Sequence, residues 1–157
     1  MAQTQSQRVF TVISGLWVGA TVAIGFLVVP ILFSTLGDRQ VAGMVAAHLF
    51  KLTAYIGVGL SSILMVMSNY FVRLGKVQYR LLRWVLLGML ACSVAAAFII
   101  IPWMNSLRDQ ALYLGLSVRE TSNALLFNRL HGMSSGLFLI QSALGLMLVW
   151  RSTKNAD

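Results

Sequence analysis

At 157 residues, with 58% apolar and only 10% charged side chains against roughly 25% charged in soluble domains, this chain cannot clothe a water-facing surface. Twelve bases against four acids give a net charge of +8, and the single cysteine, Cys92, excludes an internal disulfide framework. Composition therefore excludes a water-soluble enzyme and a disordered tail, and makes lipid the solvent for most of the chain.

A membrane span needs about 20 consecutive, mostly apolar residues. Four stretches hold no Asp, Glu, Lys or Arg: 9–33, 52–72, 84–104 and 130–150. Backbone groups in hydrocarbon must be satisfied within their own segment, so each stretch is expected to be helical. The expected fold is all-α, an integral membrane four-helix bundle forming a single domain over 1–157. The first stretch is longer than the apolar core of a signal peptide, only Arg8 charges its flank, and no small-residue cleavage pattern follows, so it is expected to stay as a permanent helix.

In chain order, span one carries the pair Gly15 and Gly19, whose spacing lets helix backbones approach closely. Pro30 frees a carbonyl near its outer end, as Pro102 does in span three. Asp38 is placed to cap a helix opening at Arg39, and nothing breaks that helix before Val72. At 1.5 Å per residue it reaches about 50 Å, well beyond the roughly 30 Å hydrocarbon core. In span three Trp84 and Trp103 mark the ends, as Trp150 does in span four, where amphipathic rings anchor at the interface. Cys92 sits mid-span as a small packing residue. Leu107, Leu112, Leu114 and Leu116 alternate with Arg108 and Asp109, a pattern that either prolongs helix three or lies on the membrane. Ser117 and Glu120 form a capping box predicted to open a helix running through Asn123, Phe127 and His131 into span four. There Gly132 and Gly136 repeat the glycine pair. His131, Ser135 and Ser142 share a face predicted to point into the bundle. No linker, low-complexity tract or clear internal repeat interrupts the chain.

An even number of spans puts both termini on one side with the loop 73–83. That side holds Arg8, Arg73, Lys76, Arg80, Arg83, Arg151 and Lys154 with Asp157 as its only acid. The other holds five bases, Arg39, Lys51, Arg108, Arg119 and Arg129, against Asp38, Asp109 and Glu120. The positive-inside bias predicts cytoplasmic termini, with helices 2 and 4 extended on the outer side. The same bias, with anionic lipid, accounts for the basicity without nucleic acid, since no basic stripe is interleaved with aromatics.

No carboxylate lies in any span, which removes a buried acidic proton relay and the H-E-x-x-H metalloprotease arrangement; no Gly-rich phosphate loop occurs. The candidates for ligation are His48 and His131, both near the outer interface and differing in depth by about 7 to 8 Å if the helices stand upright. Met44 precedes His48 by one turn, with Met104 and Met133 near that level. Methionine with histidine suits Cu(I), and two imidazoles suit haem iron. Lys51 and Arg129 at the same level repel a cation but match haem propionates.

Gly15-Leu16-Trp17-Val18-Gly19, Phe26-Leu27-Val28-Val29-Pro30-Ile31-Leu32-Phe33, Ala42-Gly43, Leu49-Phe50 and the opening Phe127-Asn128-Arg129-Leu130-His131 of the last span together resemble domain-of-unknown-function family 4149, also called transmembrane-protein-205-like. The resemblance runs over nearly the whole chain, most specifically at Pro30-Ile31-Leu32-Phe33 and His131. It implies a four-span bacterial inner-membrane protein without an established reaction. A more distant similarity, to copper-resistance D-type proteins and the haem-binding protoporphyrinogen oxidase of the HemJ type, rests on a four-helix layout and Trp17-Val18-Gly19. Span one has no histidine where the haem-binding type places a ligand. Of the two histidines only His131 carries over to the closer family's pattern.

The leading expectation is a non-enzymatic accessory or interaction subunit in the bacterial inner membrane, packed through Gly15, Gly19, Gly132, Ser135 and Gly136, with the bilayer and a membrane protein or a second copy as partners. The alternatives are copper or haem handling at His48, His131 and Met44, and a small oligomeric transporter.

Overall fold

A computed structural model describes residues 4–154, so Asp157 lies outside the described residues. Among these, four helices are long and apolar enough to cross a membrane: α1 (Gln5–Thr35), α2 (Arg39–Arg73), α3 (Tyr79–Tyr113) and α4 (Ala124–Lys154). They hold 31, 35, 35 and 31 residues, about 47 to 53 Å each, so all four outrun the hydrocarbon core. Short connections make successive helices antiparallel.

The interior sets small polar side chains among large apolar ones such as Phe10, Leu64 and Leu86. Leu16, Val66 and Trp150 are about 70% exposed, at 71%, 69% and 69%, while Ser14, Ser61, Ser68 and Ser93 are fully buried. Lipid is as apolar as leucine, so helices gain most by approaching closely, and small residues permit that. A buried hydroxyl can still be satisfied by its own helix. Ser14 Oγ donates to the Phe10 carbonyl at 2.8 Å and Thr21 Oγ1 to that of Trp17 at 2.9 Å. On the side of the termini Phe10 meets the edges of Phe71 and Tyr79, with ring centroids 6.1 and 5.4 Å away, and joins α1, α2 and α3.

Helix ends follow the sequence with one correction. Asp38 accepts from the amides of Gln40 (2.7 Å) and Val41 (3.4 Å), and α2 then runs unbroken to Arg73. Helix three continues to Tyr113, which settles the open reading of that loop. The Ser117–Glu120 box forms as expected, but it caps only a single 3-10 turn, Val118–Glu120. Thr121 turns extended, at φ −91° and ψ 160°, with its hydroxyl on the Val118 carbonyl, and α4 opens separately at Ala124. A threonine that bonds back to the preceding turn competes with helix propagation.

The backbone also brings out a repeat that the sequence does not announce. Helices α1 and α3 each widen into one π-helical segment, Ile24–Val28 and Ala96–Ile100, followed two residues on by Pro30 and Pro102. A proline lacks the helical N–H and crowds the carbonyl four residues back, here Phe26 and Phe98, and a widened turn relieves that clash. Aligned on these segments, Val22-Ala23, Phe26, Pro30 and Ser34 recur 72 positions later as Val94-Ala95, Phe98, Pro102 and Ser106. Ser34 and Ser106 even make the same bond, to the carbonyl three residues back, at 3.0 and 3.1 Å. Ile56, Leu60, Leu64 and Ser68 of α2 recur 84 positions later in α4 as Ile140, Leu144, Leu148 and Ser152. The offset grows by 12 because α3 runs further past its proline than α1 does and the second hairpin has the longer connection. The bundle is thus two parallel copies of one helical hairpin, related by an axis along the bundle.

Candidate functional site

The candidates near the end of the bundle away from the termini are displayed on the surface. Met44 and His48 are both exposed on α2, with His48 Nδ1 2.9 Å from the Met44 carbonyl, so that Nε2 is left outward. His131 is exposed on α4 and lies parallel to the Phe127 ring, 6.5 Å away. The Arg108 guanidinium from α3 covers the other aromatic partner, 5.2 Å from the Phe127 centroid, and holds Asn105 Oδ1 at 3.2 Å. Met133 is 59% exposed, but Met104 is buried at 6% among Ile100, Leu107 and Leu130 and is no part of an outer ligand set. Among the described residues no three His, Cys, Asp or Glu side chains converge as a metal site would need.

The glycine pairs also stand apart from the chain's own contacts. A Cβ built on Gly15, Gly19, Gly132 or Gly136 meets nothing within 4 Å, and Ser135 is exposed with its hydroxyl on the His131 carbonyl at 2.9 Å. The close approaches inside the bundle fall at other glycines. A Cβ on Gly145 would lie 2.9 Å from Val18, one on Gly88 3.1 Å from Leu144, and one on Gly25 would overlap the Phe138 ring. The inward face of α4 is set instead by Leu130, Gln141, Ser142, Gly145, Leu148 and Ser152. Ser142 is buried as expected for its face, while His131 and Ser135 on the outer part of that face lie bare.

The polar centre of the bundle is one that the sequence reading did not single out. Gln141 of α4, 8% exposed, donates through Nε2 to the fully buried Ser93 Oγ of α3 at 3.0 Å. Opposite them Gly57 of α2 leaves the room: a Cβ there would lie 2.6 Å from Ser93 Oγ and 3.3 Å from Gln141 Nε2. Gly57 and Gln141 are equivalent positions of the repeat, 84 residues apart. A position in contact with its own symmetry mate lies on the axis. The signal was available as a lone Gln in an apolar span, but the room that Gly57 leaves opposite it is recognisable only once the repeat is seen. Nearby on α4, Ser142 Oγ is buried without a hydrogen-bond partner, as is Trp17 Nε1 on α1.

Outside the bundle a cavity of about 240 Å³ lies between the end of α3 and the following loop, floored by Leu107, Ala111, Leu114 and Leu116 and rimmed by Glu120 and Asn123. Glu120 there accepts from the Ser117 amide at 2.8 Å, and the Ser117 N–H and hydroxyl hold its carboxyl below the usual carboxylate range.

Comparison with known proteins places this architecture. A family model described as a domain of unknown function (DUF4149) matches residues 12–112. The chain belongs to that family. The match takes in most of both proline-bearing helices of this DUF4149 member, together with Met44 and His48, and ends before α4, so His131 and Gln141 lie outside it. Neither a curated protein nor a solved structure matches the chain.

Proposed function

We propose that this multi-pass membrane protein is a non-enzymatic accessory subunit of the bacterial inner membrane, its termini cytoplasmic, whose task is to hold a further membrane helix, from a partner or from a second copy. One observation carries the reading. The glycine pairs Gly15 and Gly19 on α1, and Gly132 and Gly136 on α4, face open space. Glycine in a membrane helix is favourable chiefly where another backbone comes close. Co-purification in mild detergent tests the proposal: one membrane protein, or the chain itself as an oligomer, is recovered, and Gly19→Leu or Gly136→Leu releases it. Recovery of a lone monomer in repeated preparations refutes it.

A second reading, copper or haem handling at the outer face, draws on the two exposed imidazoles and on the His48 Nδ1 bond to the Met44 carbonyl, which orients Nε2 as a ligand. Titration of the purified protein with Cu(I) and with haem, followed by absorption and elemental analysis, tests it. Binding lost in His131→Ala or His48→Ala supports it, and no uptake of either rejects it.

A further inference from the structure

The two hairpins share one backbone design, and the place where they differ points to a moving part. The half of α3 that starts with its π-helical segment is packed: Ala97, Ile100, Ile101, Met104, Leu107 and Ala111 are buried. The equivalent half of α1, Ile24–Thr35, has no buried residue at all. The π-helical turn and the proline are the same in both, and α3 runs further past its proline, to Tyr113 against Thr35; the rest of the difference lies in what each half packs against.

Part of that difference is made within the second hairpin, where Ile100, Met104 and Leu107 pack with Leu126, Phe127 and Leu130 of α4; the part made between the hairpins turns on one side chain. In the second hairpin's contact with the first, Ala97 and Ile101 of α3 close onto Ala54 of α2. The residue equivalent to Ala54, 84 positions on, is Phe138 of α4, and the residue equivalent to Ala97 is Gly25 of α1. Gly25 is pressed against the Phe138 ring, which also touches Phe26 (5.7 Å between centroids) and Phe50 of α2 (5.4 Å). Where alanine lets helices close, phenylalanine stands between them. One and two turns beyond Phe138 on the same face of α4 come Ser135 and His131, the part of that face found bare.

The geometry points to a hinged arm: Ile24–Thr35 pivots at its π-helical turn and Pro30, is wedged open by Phe138, and closes over Ser135 and His131 in the manner that α3 displays against α2. α2 runs unbroken past the pivot and serves as the post. π-helical turns and prolines are the points at which membrane helices bend, since their backbone bonds are already rearranged. The arm is a device of the chain itself and acts whether the outer face receives a helix, a metal or haem.

Hydrogen exchange on the full chain in lipid nanodiscs tests this. In the wild-type protein the amides of 24–35 exchange at least about tenfold faster than those of 96–107, because local opening is governed by how much each segment buries. Phe138→Ala removes the wedge, so exchange in 24–35 slows toward that of 96–107, and maleimide labelling of S135C from the outer side, in a Cys92→Ser background, falls several-fold. Equal protection of the two segments in the wild-type protein overturns the proposal without any variant. Faster exchange or increased labelling in Phe138→Ala also overturns it, since Phe138 would then be a latch that holds the arm rather than a wedge.

Discussion

Gly57→Ala adds one methyl group to the centre of the bundle, and the structure specifies what it meets. Its Cβ would lie 2.6 Å from Ser93 Oγ, 3.3 Å from Gln141 Nε2 and 3.4 Å from Ser93 Cβ. The first distance lies far inside van der Waals contact. Ser93 must rotate or α2 must retreat, and either one disturbs the Ser93–Gln141 bond. Overpacking of a filled core costs about 1–3 kcal/mol, and an interhelical hydrogen bond in a membrane contributes about 0.6 kcal/mol on average. Against this, alanine is favoured over glycine in a helix by at most about 1 kcal/mol. The control is Gly59→Ala, two residues on, where a Cβ meets nothing within 4 Å and only the helix preference remains. Thermal unfolding in bicelles, followed by circular dichroism, should therefore rank Gly59→Ala at or above wild type and Gly57→Ala about 1–3 kcal/mol below Gly59→Ala. Adding Ser93→Ala to Gly57→Ala removes the atom at 2.6 Å, and the pair should be less damaging than the sum of the single changes by about 1 kcal/mol. Equal stability of Gly57→Ala and Gly59→Ala, or strict additivity with Ser93→Ala, would refute the crowded axis.

Other outcomes follow from the same structure. Phe10→Ala, at a fully buried ring, forfeits no transfer energy in lipid but leaves a cavity on the order of 100 Å³, a loss of about 2 kcal/mol; steric-trap unfolding measures it, and a loss below about 0.5 kcal/mol would mean the ring is not at the three-helix junction. Asp38→Ala removes the cap on α2 and should cost about 1 kcal/mol, with exchange rising at the Gln40 and Val41 amides rather than deeper in the helix. Glu120 is held below the usual carboxylate range by Ser117, so its folded value lies under its unfolded one. The cap it makes is complete above the ordinary range and is lost as pH falls through the depressed value. Protection of the Ser117 amide, corrected for intrinsic exchange, should drop on acidification and become independent of pH in Glu120→Gln; a flat profile in the wild-type protein contradicts the assignment.

What the sequence made legible was whatever depends on hydrocarbon and on local backbone chemistry. Four charge-free stretches mark the spans because a charge in lipid is costly, and Asp38 announces its helix because a cap acts within three residues. The 3-10 turn after Ser117 was not legible, since the same box serves a long helix or a single turn and Thr121 decides between them. The glycines show the limit most clearly. Gly15, Gly19, Gly132 and Gly136 carry the recognisable spacing yet stand open, while Gly25, Gly57 and Gly145 carry no motif and take the close contacts. Spacing reports which residues share a face; it does not report which face meets a neighbour. The outer histidines were placed at the right end of the bundle, but whether two side chains on α2 and α4 converge depends on helix rotation, which a charge-free run does not encode. The repeat escaped because membrane helices draw on few residue types, so chance similarity is high; the shared widened turn before each proline separates true correspondence from composition.

Two identical hairpins meeting about a two-fold would have to place either a pair of amide side chains or a pair of empty notches where Gly57 and Gln141 now touch. The first overfills the space and the second leaves a void. Joining both hairpins in one polypeptide lifts that restriction, because each half can mutate alone, and it keeps the two unlike halves of the centre, one glycine and one glutamine, always together.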